Sequence, residues 1–178
     1  MALLTRARRW VNRHGIGHVK APIPKHVENS DSGDRRAKRQ GKRSNDLDMQ
    51  ITEDNRIVNT HWSRPMVQDG FRDPYGQIPP GRMVRNMTWA EVSRLVAGRF
   101  PRRYRIRSIE HALKHCARLG IVAVVEPKGD KRFAEDWPWQ HIAAVAEDVG
   151  CTVSVRALPQ NAAALEPARR AGFKAWEI

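Results

Sequence analysis

The sequence predicts an α/β fold built from parallel βα units. Three segments with the apolar spacing of amphipathic helices each end at a glycine, and an apolar strand segment follows each glycine. These helix and strand pairs are residues 108–119 with 121–126, residues 139–149 with 151–157, and residues 161–171 with 173–178. Regular alternation of helix and strand is typical of a sheet whose strands run parallel.

Three further strands are predicted nearer the amino terminus, at residues 14–19, 44–50 and 56–61. Residues 45–51 alternate polar and apolar side chains, with Leu47, Met49 and Ile51 on one side, as a strand with two different faces does. Residues 121–126 are instead continuously apolar and end in an acid, which is typical of a strand buried on both faces. The sequence therefore predicts about six strands.

A long connection follows the third strand. Residues 62–87 contain four prolines and three glycines, so we expect a loop insertion there. Loops of this length in compact domains are usually functional or disordered. Thr88 and Glu91 then have the spacing of a capping box, in which each side chain satisfies a free backbone N–H, and they predict a short helix that ends near Gly98.

The charge of the chain favours anionic partners. Its 178 residues have the size of one domain, and the 32 Lys and Arg against 19 Asp and Glu give a formal net charge of +13. Such an excess attracts nucleic acid, anionic lipid or phosphate esters. The basic segment, residues 31–43, has little to bury, and it is either a solvated helix or a mobile arm.

The expected compartment is the cytoplasm. Two cysteines, Cys116 and Cys151, are too few for a disulfide framework, and their spacing does not resemble a zinc site. The amino terminus reaches Arg6, Arg8 and Arg9 before it can build an apolar stretch, so we predict neither a signal peptide nor a membrane span.

Carboxylates on the predicted strands are the first candidates for chemistry. Asp46 and Asp48 lie two residues apart, so on a strand both side chains point to one face, where they could bind a hard divalent cation. Taken alone, such a pair is more often a solvated strand face. Glu126 ends the most buried strand, at the position where barrel enzymes place functional groups, and Lys128 follows on the same side if the chain stays extended.

Histidines supply the second set of candidates. His18 and His61 each lie at the end of a predicted strand, and the alternative interpretation is an ordinary surface or capping histidine. His111 and His115 are four residues apart on a helix, but they lack the H-E-x-x-H pattern, so we expect a solvated helix face there.

Several short motifs follow one another in a specific order. They are Gly17-His18, VENS at residues 27–30, NDLDMQITEDNRIVNTH at 45–61, MTWAEV at 87–92, RSIEHAL at 107–113 and VEPK at 125–128. This series resembles the glycerophosphodiester phosphodiesterase family, which reads roughly HRG, PENT, E-x-D-V-x-x-T-x-D-G-x-x-V-x-x-H-D, M-T-x-x-E-L, P-T-L-E-E-x-L and E-I-K. The resemblance covers about residues 17–128, and its central block is the specific part.

The resemblance implies a TIM-barrel-like fold and a metal-dependent hydrolase that converts glycerophosphodiesters, or similar small phosphodiesters, to glycerol phosphate and an alcohol. It implies that a divalent ion, Ca²⁺ or Mg²⁺, is bound by three acids and that two histidines form the acid/base pair. The ligands would be Asp46, Asp48 and Glu126, the histidines would be His18 and His61, and Lys128 would hold the phosphate. Such a set is chemically sound, because a metal neutralises the phosphodiester and histidines transfer protons near neutral pH.

The sequence also departs from this family. Val19 stands where the family has a phosphate-binding Arg, so that charge is missing or comes from Lys20. Asp46 replaces a Glu and Trp62 replaces an Asp. A complete barrel takes about 250 residues, so we expect an incomplete one, and a homodimer that covers the last strand is one hypothesis.

Two other functions stay open at this point. A basic nucleic-acid-binding protein would use residues 35–43 and the arginines of residues 94–107 to bind phosphate backbones, although no recognition-helix or zinc-finger pattern supports it. A phosphodiesterase-like domain without activity is the other, because of Val19, Trp62 and the missing strands.

Overall fold

The computed structural model describes residues 16–17, 29–98 and 103–178 of the chain. The strands, in chain order, are β1 (Ile16–Gly17), β2 (Ser44–Ile51), β3 (Ile57–Asn59), β4 (Val96–Ala97), β5 (Tyr104–Arg105), β6 (Arg107–Ser108), β7 (Val122–Pro127), β8 (Val153–Ala157) and β9 (Lys174–Glu177). The α-helices are α1 (Asp31–Arg39), α2 (Pro65–Gln68), α3 (Trp89–Arg94), α4 (Ile109–Leu119), α5 (Trp137–Val149) and α6 (Leu165–Arg170). Short 3₁₀ helices are formed by Val84–Asn86, Lys131–Ala134 and Pro159–Ala164.

One seven-stranded sheet organises the fold. Its strand order is β6-β3-β2-β7-β8-β9, and β1 also pairs with β2. The neighbours β1 and β2, β2 and β7, β7 and β8, and β8 and β9 are all parallel. The α/β fold class is therefore confirmed. Across the described residues the sheet is open between β6 and β9, as expected for an incomplete barrel.

Strand β3 differs from the other predicted strands, because it runs antiparallel to β2. Only a tight turn joins the two, with Thr52 N–H bonded to the Arg56 carbonyl at 2.9 Å and Asn55 in the left-handed region at φ 59°. A parallel pair needs a crossover of about a dozen residues. The short turn therefore makes a hairpin, and β3 is not a βα unit of the barrel.

The two faces of the sheet have different chemistry, because successive strand residues point to opposite sides. Helices α4, α5 and α6 cover one face and bury its side chains in the main core. That face is lined by Leu47, Met49, Ile51, Ala123, Val125, Val155 and Ala157. The opposite face carries Asp46, Asp48, Glu126 and Arg156. Polar side chains thus gather on the face that the three helices leave uncovered.

The segment between β3 and β6 has its own small core. Its buried side chains come from the long connection, from α3, from the residues between α3 and β6, and from the neighbouring strand β3. They are Val58, Ile78, Val84, Met87, Val92, Leu95 and Ile106. Helix α3 begins with the predicted capping box, since Thr88 and Glu91 exchange hydrogen bonds between side chain and backbone. This segment packs beside the hairpin of β2 and β3.

Helix α1 lies within the basic segment. Ser30 caps it by accepting a hydrogen bond from Gly33 N–H at 3.2 Å. Asp34 and Ala37 are fully buried, whereas Arg35 and Lys38 are exposed. The helix is therefore amphipathic, with a basic face toward solvent.

Both cysteines, Cys116 and Cys151, are buried free thiols. Within the described ranges, no helix has the length and apolar character needed to cross a bilayer.

Candidate active site

Three carboxylates converge where the carboxyl end of β7 lies beside the middle of β2. Asp46 and Asp48 share one face of β2, and the parallel register places Asp48 directly beside Glu126. Each of the three offers an oxygen within 4.8 Å of the others. Their side chains are largely buried, with exposed fractions of 9%, 9% and 3% for Asp46, Asp48 and Glu126. We call these three residues the strand-end cluster.

Two cations neutralise part of this negative charge. Lys128 Nζ lies 2.9 Å from Asp48 Oδ1 and also contacts Glu126 Oε1. Arg156, on β8, bonds Glu126 Oε2 at 2.7 Å and also contacts Asp46 Oδ2. The neighbouring strands β2, β7 and β8 therefore each contribute a charged group to the same polar face of the sheet.

Burial and mutual charge set the pKa values of these groups. Burial, reinforced by the carboxylates of Asp48 and Glu126, raises the pKa of Asp46 to about 8 against the opposing effect of Arg156. Burial acts in the same direction on Asp48, but Lys128, Asn29 and His61 outweigh it and hold its pKa below the ordinary value. For Lys128, burial lowers the pKa, and the two adjacent carboxylates overcome this and raise it.

His61 lies beside the strand-end cluster. Its Nδ1 is 3.8 Å from Asp48 Oδ2, and a third of its side chain is exposed. The ring stacks on Trp62, with centroids 4.5 Å apart and planes 5° from parallel. Trp62 is the residue that departs from the family pattern. In this chain it supports the imidazole by stacking.

A hydrogen-bond network fixes the backbone and carboxylate of Asp48. Asn29 Nδ2 donates to Asp48 Oδ2 at 2.9 Å, and Asn29 Oδ1 accepts from Asp48 N–H at 3.1 Å. Asn59 Nδ2 donates to the backbone carbonyl of Asp48 at 3.0 Å, and the side-chain oxygen Asn59 Oδ1 accepts from Arg107 at 2.6 Å. Asn29 is in the left-handed region at φ 56°, which asparagine tolerates better than most residues. These contacts orient Asp48 toward Lys128 and His61.

The structure brings together five of the seven residues that the sequence pointed to, namely Asp46, Asp48, Glu126, Lys128 and His61. His61 follows an antiparallel strand rather than a barrel strand, and it reaches the site because Thr60 N–H bonds the Asp48 carbonyl at 2.9 Å. The other two residues, His18 and Lys20, lie outside the described residues, as does Val19.

Sequence reasoning missed Arg156, Asn29 and Asn59. Arg156 had a visible signal, because an arginine inside the strand Val153–Ala157 alternates with apolar residues and must point to the polar face. Asn29 lies in the segment that resembles PENT, but no role was assigned to it. Nothing local marked Asn59, whose partners are distant in the chain.

The histidines expected on a solvated helix face have a defined environment. His111 Nε2 lies 3.0 Å from both oxygens of Asp31, and His115 is only 12% exposed. The expectation of a solvated face therefore holds for His111, which is 57% exposed, and is wrong for His115. His115 is covered because α1 packs against α4.

The strand-end cluster suits a hard divalent cation. Its donors are carboxylate oxygens, which Ca²⁺ and Mg²⁺ prefer, and they converge from two adjacent strands. Lys128 and Arg156 contact these same carboxylates, so a bound ion would compete with the two cations for them. The chemistry and placement of these residues therefore fit such an ion.

Comparison with known proteins supports the fold. No protein-family model and no curated protein sequence matches this chain. Among solved structures, it is similar to a glycerophosphodiester phosphodiesterase from Parabacteroides distasonis, with 17% identity and a TM-score of 0.62 over 92% of this chain and 62% of the other. A Galdieria sulphuraria protein provisionally given the same name shows 16% identity and a TM-score of 0.67, over 92% of this chain and 61% of the other.

A third similar structure has a ligand. It is a phosphodiesterase from Oleispira antarctica in complex with the product sn-glycerol-3-phosphate, with 16% identity and a TM-score of 0.61 over 87% of this chain and 61% of the other. The present chain thus spans about three fifths of the length of these proteins. The resemblance seen in the motifs is confirmed at the level of the fold.

Proposed function

We propose that this protein is a metal-dependent phosphodiester hydrolase that acts on glycerophosphodiesters or similar small alkyl phosphodiesters. The observation that supports this most is the convergence of three carboxylates, Lys128 and His61 on the polar face of the sheet, beside the carboxyl end of β7. The motif order and the similarity of fold to glycerophosphodiester phosphodiesterases point to the same reaction.

Each residue has a distinct role in this proposal. Asp46, Asp48 and Glu126 would hold a Ca²⁺ or Mg²⁺ ion, which when bound supplies positive charge that stabilises the phosphodiester and its transition state. Lys128 binds a phosphate oxygen, and Lys20 is the candidate for the second cation. Asp48 keeps the imidazole of His61 in place through their 3.8 Å contact.

The reaction requires two proton transfers. A bond forms between phosphorus and the attacking oxygen of water, or of the neighbouring glycerol hydroxyl, and the bond to the alcohol oxygen breaks. The attacking oxygen loses a proton and the departing alcohol oxygen gains one. With water as the nucleophile, glycerol phosphate and an alcohol result directly. With the glycerol hydroxyl, the alcohol and a cyclic glycerol phosphate form first, and a second attack by water opens the cyclic ester to glycerol phosphate. His61 and His18 are the proposed acid/base pair, since imidazoles have pKa values near neutral pH.

Hydrolysis of glycerophosphocholine and bis(p-nitrophenyl) phosphate tests this function. We expect the purified protein to turn over at least one of these substrates with Ca²⁺ or Mg²⁺ and to lose activity in EDTA. His61→Ala should lower kcat by about 10²- to 10⁴-fold, the usual contribution of a general acid or base. Wild-type protein that is inactive with every metal would refute the proposal.

Matched variants separate the site from general damage to the fold. His141→Ala removes a histidine that pairs with Glu110 at 3.1 Å, away from the strand-end cluster. Glu135→Gln removes an exposed acid whose hydrogen bond is to Trp137. Both variants should keep wild-type kcat, and a loss equal to that of His61→Ala would mean that the site is misassigned.

One observation favours polyanion binding as a second function. Exposed Arg35 on α1 and exposed Arg103 and Arg105 line one cavity of about 550 Å³, together with Trp89 and the acid Asp31. The fold thus brings together two basic segments that are far apart in the sequence. Arginine and an aromatic ring suit phosphates and stacked bases.

Binding of a single-stranded oligonucleotide, followed by fluorescence anisotropy at several salt concentrations, tests this alternative. Affinity should fall steeply with salt, and Arg103→Gln/Arg105→Gln should lower the slope of log affinity against log salt by about 1.4, since each phosphate contact on a single strand contributes about 0.7. Lys114→Gln/Arg118→Gln removes the same charge from α4 and should change the slope less. Equal effects of both pairs would assign the binding to net charge alone.

A further inference from the structure

Arg156 is the least expected component of the candidate site. Its side chain is 4% exposed, and its guanidinium group bridges Asp46 and Glu126. Arginine cannot lose its proton in a protein, so this positive charge is permanent. This permanent positive charge lies among the same carboxylates that would hold a divalent ion.

The balance of charge in this buried region depends on what is bound. The three carboxylates, when all are ionised, face the two described cations Lys128 and Arg156. A divalent cation adds positive charge beside Arg156. A monoanionic phosphodiester offsets part of that added charge, which a buried site favours because unbalanced charge is costly there.

The geometry of Arg156 permits it to change partners. The guanidinium group has several donors in a planar fork, which matches phosphate oxygens as well as carboxylates. Arg156 lies one strand from Lys128, and Glu126 contacts both cations. An anion bound to Lys128 would therefore be close to Arg156 as well.

We propose that Arg156 couples the two ligands of this site, so that a divalent cation and a phosphodiester monoanion bind cooperatively. The cation competes with Arg156 for Asp46 and Glu126, and the phosphodiester provides Arg156 with a new partner. Each ligand then raises the affinity of the other by the same factor, as linkage requires. This inference rests on the proposed function, and it assigns to Arg156 a role that neither the motifs nor the resemblance indicated.

Calcium titrations by isothermal calorimetry test the coupling. The probes are Ca²⁺ alone and Ca²⁺ in the presence of saturating diethyl phosphate, a monoanionic phosphodiester that resists hydrolysis. For the wild-type protein we expect diethyl phosphate to lower the Kd for Ca²⁺ by at least about 5-fold, the lower end of usual coupling between sites. Inorganic sulfate, a dianion, serves as the anion control. An equal effect of sulfate on the Kd for Ca²⁺ would contradict specific coupling to a phosphodiester monoanion.

Variants of Arg156 identify the residue responsible. Arg156→Gln should bind Ca²⁺ alone at least about 5-fold more tightly than wild type, since a competing cation is gone, and the effect of diethyl phosphate should fall below about 2-fold. Arg156→Lys keeps the charge and should keep most of the coupling. Arg170→Gln, which removes an exposed arginine paired with Asp136 at 2.6 Å, should match wild type.

The outcomes separate this inference from the proposed function. If wild type hydrolyses a phosphodiester with metal but Arg156→Gln has the wild-type Kd for Ca²⁺ and the wild-type coupling, the inference is wrong and the function stands. If neither wild type nor Arg156→Gln binds Ca²⁺ or Mg²⁺, both are wrong. Thermal unfolding of each variant shows whether it is folded. If Arg156→Gln is not folded, the wild-type titrations still test the inference, because a Kd for Ca²⁺ that diethyl phosphate leaves unchanged would overturn it.

Discussion

Two groups of side chains that can ligate a metal ion, acids and one histidine, lie close together in the described part of the chain. One is the strand-end cluster, and the other, which we call the helix cluster, consists of Asp31, Asp34 and His115. In the helix cluster, Asp34 accepts from Asn45 at 2.6 Å and from Arg107 at 2.5 Å, and Asp31 pairs with Arg107 and His111. Its acids join α1 to the sheet and to α4.

The strand-end cluster is different because its contacts lie within one sheet, between β2, β7 and β8. Its acids come from adjacent strands and lie beside the carboxyl end of β7, and strand carboxyl ends are where barrel enzymes place their chemistry. Proximity of acids is common to both clusters, so it is the position on the sheet that distinguishes the strand-end cluster.

The largest effect is expected in the helix cluster. Asp34→Ala should lower the free energy of unfolding by about 3 to 5 kcal/mol, because it leaves the buried guanidinium of Arg107 with a weaker set of partners. Urea unfolding measures this change. Asp136→Ala, which breaks an exposed pair with Arg170, is the control and should cost no more than about 1 kcal/mol. Equal losses in the two variants would remove the structural role we give to the helix cluster.

Glu126→Gln should have the opposite profile. We expect kcat to fall by about 100-fold or more, since a carboxylate of the site is lost, while the free energy of unfolding changes by less than about 1 kcal/mol. Stability is kept because Asp46 and Asp48 still pair with Arg156 and Lys128. A large loss of stability with normal kcat in the folded fraction would show that both clusters are structural.

A smaller effect is expected at Trp62. Trp62→Ala removes the ring that stacks on His61 and should lower kcat by about 2- to 10-fold, in line with the energy of one aromatic pair. Trp62→Phe should restore most of the loss, because a flat ring is kept. Activity that is unchanged in Trp62→Ala would show that Asp48 alone is sufficient to hold the imidazole.

The last predictions concern pH, and the two clusters should respond in opposite directions. The pKa of Asp46, raised to about 8 from an ordinary 3.8, means that the folded protein holds this proton more tightly than the unfolded chain. Its contribution to stability is full below pH 3.8 and is lost as the pH rises toward 8. Burial raises the pKa of Asp31, but His111 and Arg107 outweigh it, so its pKa is lowered and its contribution is lost in acid.

Thermal unfolding between about pH 2 and 9 in EDTA checks these signs. Asp46→Asn should reduce the fall in stability between pH 4 and 8, and Asp31→Asn should reduce the fall below pH 4. Glu166→Gln, an exposed acid of α6, provides the baseline. Parallel curves for Asp46→Asn and wild type would mean that Arg156 keeps Asp46 ionised throughout.

Local patterns were sufficient to predict most elements and most of the candidate site. Helical periodicity with glycine stops predicted α4 and α5, which end at Gly120 and Gly150, both in the left-handed region. The antiparallel course of β3 was not predicted, because a strand pattern carries no direction. The burial of His115 also depended on how α1 packs, which its own helix does not reveal.

The sequence by itself determined which side chains share a face. Asp46 and Asp48 lie two residues apart on a strand, and a period of two places them together whatever the strand pairs with. The position of Glu126 at the end of an apolar run likewise placed it at the carboxyl end of its strand.

Only the tertiary structure decided which of these groups meet. The register of β2 against β7 sets Asp48 beside Glu126. The neighbouring strand β8 contributes Arg156, which contacts Asp46 although the two residues are 110 positions apart in the sequence. Asn29 fixes Asp48 from a turn that precedes α1. Strand register and long-range contacts arise from packing between distant segments, which no local pattern encodes.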